Sequence, residues 1–421
     1  MPQVNFEPST FYIADCLDVM QGMNSETVDL IYLDPPFNSN HNYNAPHGSQ
    51  AQDAEFKDTW GLDDIDVAWH GYIAEKHSAL HTLLSAAKEV QGESNFAYLI
   101  YMAMRILQMK RVLKPNGSIY LHCDPTMSHY LKLVMDAIFE GKNFRNEIVW
   151  HYQTGGASKK RYSRKHDHLL FYTNSNRYEF HPERIRMDRT EKAMARAKNP
   201  KGARISKDDA TKLPMDVWAD IQALNPMEME RTGYPTQKPL ALLKRIIKAS
   251  TNEGDLVLDP FCGCATACVA AEHLGRKWIG IDISVIAGKL VKQRFKNELG
   301  IFYSMKGVVH KPPTRDQADK KPDEVELFGD VKSLRYGHSK TKYVLWYEQK
   351  GMCLGCLNTP DISYMDVDHI VPDSRGGSHH ISNLQVLCRT CNQSKGSRTM
   401  DEWLADKKVL NHYLSLVCRR N

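Results

Sequence analysis

Three stretches of the sequence carry residue types whose spacing could do chemistry. The first, Asp34-Pro35-Pro36-Phe37, follows the apolar run Val28 to Leu33. Two consecutive prolines fix φ and remove backbone donors, so such a loop presents a rigid rim of carbonyl acceptors. That rim could grip an amino group. An exocyclic amine on adenine or cytosine has a delocalised lone pair, and acceptors that pull on its hydrogens localise the pair and make the nitrogen nucleophilic. Asp34 and the Pro35 carbonyl suit that task, and Phe37 is the natural stacking surface for a base flipped out of a duplex. The bland alternative is a strand that simply stops at two prolines.

The second stretch, Asp259-Pro260-Phe261-Cys262-Gly263-Cys264-Ala265-Thr266, follows the strand-like Leu256-Val257-Leu258. Small residues before a helix let backbone approach a ligand closely. Further on, Gly280-Ile281-Asp282 closes another strand-like run, the position from which a carboxylate in a doubly wound sheet binds ribose hydroxyls. Either piece alone is weak, since a strand-end Asp is often a helix cap. Their pairing is the stronger signal.

The third is cysteine: Cys353-x2-Cys356 and Cys388-x2-Cys391, with 31 residues between the pairs. Four thiolates in two knuckles suit tetrahedral structural zinc, and the other six cysteines are scattered without a disulfide framework. His379-His380, beside Gly376-Gly377, reads as an exposed polar loop rather than as ligands.

Elements must position these groups. The 421 residues, 42% apolar and 25% charged, fit a soluble globular chain of more than one domain. No run approaches membrane-span length and the start lacks a basic-then-apolar signal, which predicts a cytoplasmic protein with no membrane partner. A net charge of +5 says little, but 159–165 is strongly basic and 184–212 carries an excess of Lys and Arg. The periodicity predicts strands at 28–33, 118–123, 147–152, 168–172, 255–258 and 277–281. Helices are predicted at 95–113, 126–140, after Pro239, and at 266–274. Residues 180–233 lose regular period, and 306–335, polar and punctuated by Pro312-Pro313, reads as an interdomain linker.

Asp34–Phe37 followed far downstream by Tyr234-Pro235-Thr236-Gln237-Lys238-Pro239 and Asp259–Gly263 resembles the β-class DNA amino-methyltransferases, whose catalytic motif precedes the cofactor motif. The resemblance covers about residues 8–300. It implies an α/β fold, a Rossmann-like S-adenosylmethionine-dependent methyltransferase sheet of seven strands with helices on both faces, spanning 1–305, with 180–233 as the target-recognition region. It further implies cofactor contacts from Asp259, Phe261, Gly263 and Thr266, ribose binding by Asp282, and Lys238 and Pro239 bordering that pocket. Asp15 would touch the cofactor adenine, although a helix-capping role is equally compatible. Asp before Pro-Pro and Phe after it point to the N6 amine of adenine, with N4 of cytosine as the alternative. Ala265 stands where the family has glycine, and Ala267 where threonine is common; at φ > 0 an alanine would cost about 1 kcal/mol.

At the C-terminus, Asp366-Val367-Asp368-His369-Ile370-Val371-Pro372, then Asn383-Leu384-Gln385, Asn392 and Lys395-Gly396, resembles an HNH endonuclease, a zinc-stapled ββα-metal domain at 336–421. The resemblance implies His369 as general base, Asp368 and Asn392 holding Mg²⁺ or Mn²⁺, and Asn383 orienting the loop. Asn392 stands where the family often has histidine. Together the two resemblances imply a prokaryotic or phage enzyme that methylates double-stranded DNA and carries a tethered nuclease, with a second copy of the chain as a candidate partner. Two alternatives stay open: an HNH unit that only grips DNA, and an inactive N-terminal domain on a nuclease.

Overall fold

The computed structural model describes residues 3–38, 43–44, 55–56, 58–60, 67–154, 157–197, 210–225, 227–300, 307–319, 335–337, 341–349, 352–358, 360 and 362–406. Residues 198–209 of the expected target-recognition region and 320–334 of the expected linker lie outside them. The chain divides into two compact units, Met1–Gly61 with Ala87–Lys321, and Leu62–Ala86 with Pro322–Asn421.

In chain order the elements used below are β1 (Thr10–Ile13), α1 (Cys16–Gly22), β2 (Val28–Leu33), α2 (Val67–Lys76), α3 (Ser78–Val112) and β3 (Leu113–Cys123). They continue with α4 (Ser128–Phe139), β4 (Phe144–His151), β5 (His166–Thr173), β6 (Val217–Trp218), α5 (Leu240–Ser250) and β7 (Leu256–Asp259). Then come α6 (Thr266–His273), β8 (Lys277–Asp282), α7 (Val285–Leu299) and β9 (Gly307–Val309).

In the first unit nine strands form one sheet in the order β6-β4-β5-β3-β2-β7-β8-β1-β9. Neighbours run parallel except at β5, which is antiparallel to both β3 and β4. The seven strands implied by the family gain two short edge strands, β6 and β9. β2 and β7 are buried along almost their whole length, as parallel strands covered on both faces must be, which is why they read as apolar runs rather than alternating ones. Gly280 in β8 permits close packing of the following layer: a Cβ there would lie 2.6 Å from Cys262 Sγ and 2.9 Å from Cys268 Sγ.

The linker reading is corrected on its N-terminal side. β9 pairs with β1, and the chain to residue 319 is tied to the turn before β2. Asn24 Nδ2 donates to Asp316 Oδ2 at 2.6 Å, and Asp319 Oδ2 accepts from Ser25 N at 3.0 Å. A polar, Pro-punctuated composition does not separate a linker from a strap whose polar groups bond to a neighbouring turn.

The second unit contains α8 (Thr341–Glu348), the antiparallel pair β10 (Met365–His369) and β11 (Leu384–Cys388), α9 (Arg389–Lys395) and α10 (Met400–Ala405). α8 and α9 pack on both strands, and α2 packs on α8. Residues 62–86, placed by the sequence within the 1–305 domain, therefore belong to the second unit, with Ile73 of α2 fully buried. The core joins Leu345, Met365, Val386, Leu387 and Trp403 to Cys353 and Cys356. A capping box between Thr399 and Glu402 starts α10.

Ala265 does adopt the left-handed conformation, with φ 62 and ψ 34, as the N-cap of α6. Its methyl is fully buried. The strain of about 1 kcal/mol is offset by burying a methyl, about 0.8 kcal/mol. Ala265→Gly is therefore expected to leave the unfolding free energy within about 0.5 kcal/mol by denaturant titration, both terms changing together.

Candidate functional site

β2 and β7 are sheet neighbours although distant in sequence: Asp29 Oδ2 accepts from Leu256 N, 227 residues away, at 2.9 Å, and Ile31 pairs with Leu258. Asp34 follows β2, Asp259 ends β7, Asp282 ends β8 and Asp15 follows β1. All four carboxylates line the carboxyl edge of the sheet across the adjacent strands β2, β7, β8 and β1, the edge at which open α/β sheets bind ligands.

Asp34 is held at one oxygen only. Oδ2 lies 2.6 Å from Lys238 Nζ, while Oδ1 is buried without a hydrogen-bond partner. The loop 232–239 folds on itself to deliver that lysine: Thr232 N and Oγ1 each donate to Gln237 Oε1 at 2.8 Å, Gln237 Nε2 donates to Glu230 O at 2.9 Å, and Leu240 N donates to Glu230 Oε1 at 2.6 Å. Lys238, expected beside the cofactor, pairs with Asp34, and Pro239 caps α5. The far end of the Pro-Pro loop is anchored by Asn38, φ 57, whose N–H donates to the buried Asp58 Oδ1 at 2.6 Å. Phe37 stacks on His122, with centroids 6.0 Å apart and planes 29° apart.

On the cofactor side, Asp282 Oδ2 accepts from Gly263 N at 2.9 Å and Oδ1 from Ser284 N at 2.8 Å, and a carboxylate's remaining lone pairs leave room for a hydroxyl. At Gly263, φ 49, a Cβ would lie 2.8 Å from the Tyr234 ring, so the turn admits no side chain. Burial pushes the Asp259 carboxyl well above the usual range, with the charges of Asp34 and Asp282 adding to it, and burial raises Asp282 against the two N–H bonds it accepts. Three crowded carboxylates favour a cationic ligand, which suits the ammonium and sulfonium of S-adenosylmethionine. Phe261 N donates to Asp259 Oδ1 at 3.2 Å.

Two residues expected at the cofactor have protein partners. Thr266 Oγ1 accepts from Arg294 at 2.8 Å, and Arg294 also donates to Cys264 O at 2.9 Å, so that buried arginine braces the loop from within. Asp15 caps α1 through Leu17 N at 2.8 Å and pairs with the fully buried Arg105 at 2.6 and 2.8 Å. Arg105 was missed because a cation inside a helical apolar stripe has no motif. His122 and Asp167 were missed too, although a histidine inside the strand-like Ile119 to Cys123 run was a visible anomaly.

These features define a doubly wound α/β enzyme fold with an acidic cluster at the carboxyl edge of its sheet. Residues 28–292 match the DNA methylase family model, and the chain belongs to that family. Relatives include the type II methyltransferase M.HpaI of Haemophilus parainfluenzae, 28% identical over 69% of this chain and 76% of its own length. The DNA adenine methyltransferase YhdJ of Escherichia coli (strain K12) is 30% identical over 66% of this chain and 79% of its length. The solved PvuII DNA methyltransferase (cytosine-N4-specific) aligns over 73% of this chain and 99% of its own, with 13% identity and a TM-score of 0.44. Residues 353–408 match an HNH endonuclease family model. Among the described residues no helix is long and apolar enough to cross a membrane.

In the second unit the ligand atoms of Cys353, Cys356, Cys388 and Cys391 lie within 4.8 Å of one another. Gly355 N and Cys388 N donate to Cys353 Sγ at 3.4 and 3.2 Å. A hydrogen bond from Cys391 and these N–H groups hold the Cys353 thiol well below its ordinary pKa, and the set fits tetrahedral zinc. Asn383 straddles the loop after His369, accepting from Val371 N at 3.0 Å and donating to Val371 O at 3.0 Å and Ser378 O at 2.8 Å. A hard divalent cation does not fit at Asp368 as it stands. The buried Lys395 ammonium lies 3.0 Å from Oδ2, where Gln385 Nε2 also donates at 2.8 Å. Asn392 sits half-buried on α9. His379, set aside by the sequence reading, has its Nδ1 3.0 Å from His369 Nε2. Burial and the neighbouring His379 lower the His369 pKa.

The purified protein is expected to carry about one zinc, released on titrating the thiols with a mercurial and absent from Cys391→Ser. A metal-free wild-type protein with an intact C-terminal unit would contradict this.

Proposed function

We propose that this protein transfers the methyl of S-adenosylmethionine to the N6 amine of a flipped adenine in double-stranded DNA. The observation that carries the reading is the half-engaged Asp34: Lys238 fixes Oδ2, and the buried Oδ1 has no partner. A buried acceptor left open costs about 1–3 kcal/mol, a cost that an incoming N–H removes. Oδ1 accepts one amine hydrogen, the lone pair localises on nitrogen, and the same oxygen lies ready to relieve the positive charge that develops there. Asp259, Phe261, Gly263 and Asp282 would hold the cofactor, which when bound supplies an electrophilic methyl. Adenine is favoured by Asp before Pro-Pro and by the relative described as a DNA adenine methyltransferase.

Duplex DNA as substrate is supported by the loop between β4 and β5. Cys123 pairs with His168, so this loop leaves the same sheet edge as Asp34. Ser158 Oγ accepts from Lys160 N and Arg161 N at 3.3 Å, and Arg164 donates to Thr126 Oγ1 at 3.1 Å, which shape the loop while Lys159, Lys160, Arg161 and Tyr162 stay exposed.

For the C-terminal unit the Lys395–Asp368 pair favours a DNA-gripping role over cleavage. Neither wild type nor His369→Ala is expected to nick plasmid with Mg²⁺ or Mn²⁺; cleavage lost in His369→Ala would overturn that role.

Asp34→Ala is expected to slow methylation on the order of 10³-fold, with N6-methyladenine as the product by nucleoside mass analysis. Recovery of N4-methylcytosine would overturn the base assignment. Replacing Lys159, Lys160 and Arg161 by alanine should flatten the log–log salt dependence of DNA binding by about 2 to 3 units.

A further inference from the structure

A buried polar chain lies behind the Pro-Pro loop. His122 on β3 is fully buried. Its Nδ1 is 2.8 Å from the Tyr32 hydroxyl, its Nε2 is 3.1 Å from Asp167 Oδ2, and the Tyr152 hydroxyl donates to Asp167 Oδ1 at 2.9 Å. A carboxylate only accepts, so a neutral imidazole here carries its proton on Nε2 and accepts from Tyr32 at Nδ1, a tautomer assigned from the network. Burial keeps the Tyr32 hydroxyl protonated, its pKa well above the ordinary value. Burial alone would raise Asp167, but its bond to His122 and the charge of Lys238 hold it below the usual carboxylate range. One proton arrangement satisfies all four side chains.

Such a network is costly, because buried charges are seldom more stabilising than apolar side chains of the same volume. What it adds is orientation. An imidazole bonded at both nitrogens cannot rotate, and this one is the surface on which the Phe37 ring stacks, while Trp150 meets it edge-on with centroids 5.6 Å apart at 87°. Trp150 is itself fixed by its indole N–H, which donates to Ile221 O at 2.7 Å.

We infer that His122 is a positioning residue for methyl transfer: pinned by Tyr32 and Asp167, it sets the plane of Phe37 and thereby the wall against which the flipped base is held. This rests on the reading of Phe37 as the base-stacking residue.

A double-mutant cycle tests it. Single-turnover methylation of a duplex is measured for wild type, His122→Gln, Phe37→Leu and the double variant. Glutamine keeps a donor and an acceptor but has no ring. His122→Gln is expected to slow transfer about tenfold while cofactor and duplex Kd stay within about twofold, and to cost less than about twofold in the Phe37→Leu background. An equal loss in both backgrounds, or a loss that tracks cofactor affinity, would overturn the inference alone. Full activity of Phe37→Leu would overturn the stacking reading and this inference with it. If His122→Gln is too unstable to assay, Asp167→Asn, which keeps the imidazole and removes the charge that fixes its tautomer, serves in the same cycle with the same outcomes.

Discussion

The parallel pairing of β2 with β7 is the constraint on which the rest depends. It sets Leu30 beside Val257 and Ile31 beside Leu258, and so brings an amine-binding loop and a cofactor turn to one edge of one sheet. Each strand is buried on both faces, so a slip in register would move Asp34 relative to Asp259 and disrupt the packing of both covering layers together. Precision at the site and stability of the core are thereby one quantity.

Charge at that edge is arranged around a shortage of cations. Asp34, Asp259 and Asp282 crowd together in a buried setting, and Lys238 pairs directly with the first alone, at one oxygen. What the protein leaves unbalanced is what a cationic methyl donor and an amine would balance. The braces that use positive charge differ: Arg105 pairs with the Asp15 carboxylate, and Arg294 holds the backbone of the loop at Cys264.

The second unit has a different economy. Its core is small, and two of its buried side chains are cysteines of the four-thiol set, so metal would supply folding energy that apolar burial does not. α2, from a segment between β2 and α3, packs on α8. A segment that interrupts the first unit in sequence thus belongs to the second.

The sequence by itself determined the chemistry-bearing motifs, most of the strand and helix succession from β2 to β8 though not α2 or β6, and the cysteine knuckles. These are local: two prolines, a glycine turn, or an apolar run states its own conformation within a few residues. Tertiary structure alone decided which side chains meet. Lys238 reaches Asp34, Asp15 takes Arg105, Thr266 turns to Arg294, Lys395 occupies Asp368, and His379 touches His369, because each such pairing closes a loop of chain whose ends no spacing rule relates. The same reason hid residues 62–86 in the wrong unit and made a strap of 307–319, since composition records polarity but not the partner that satisfies it.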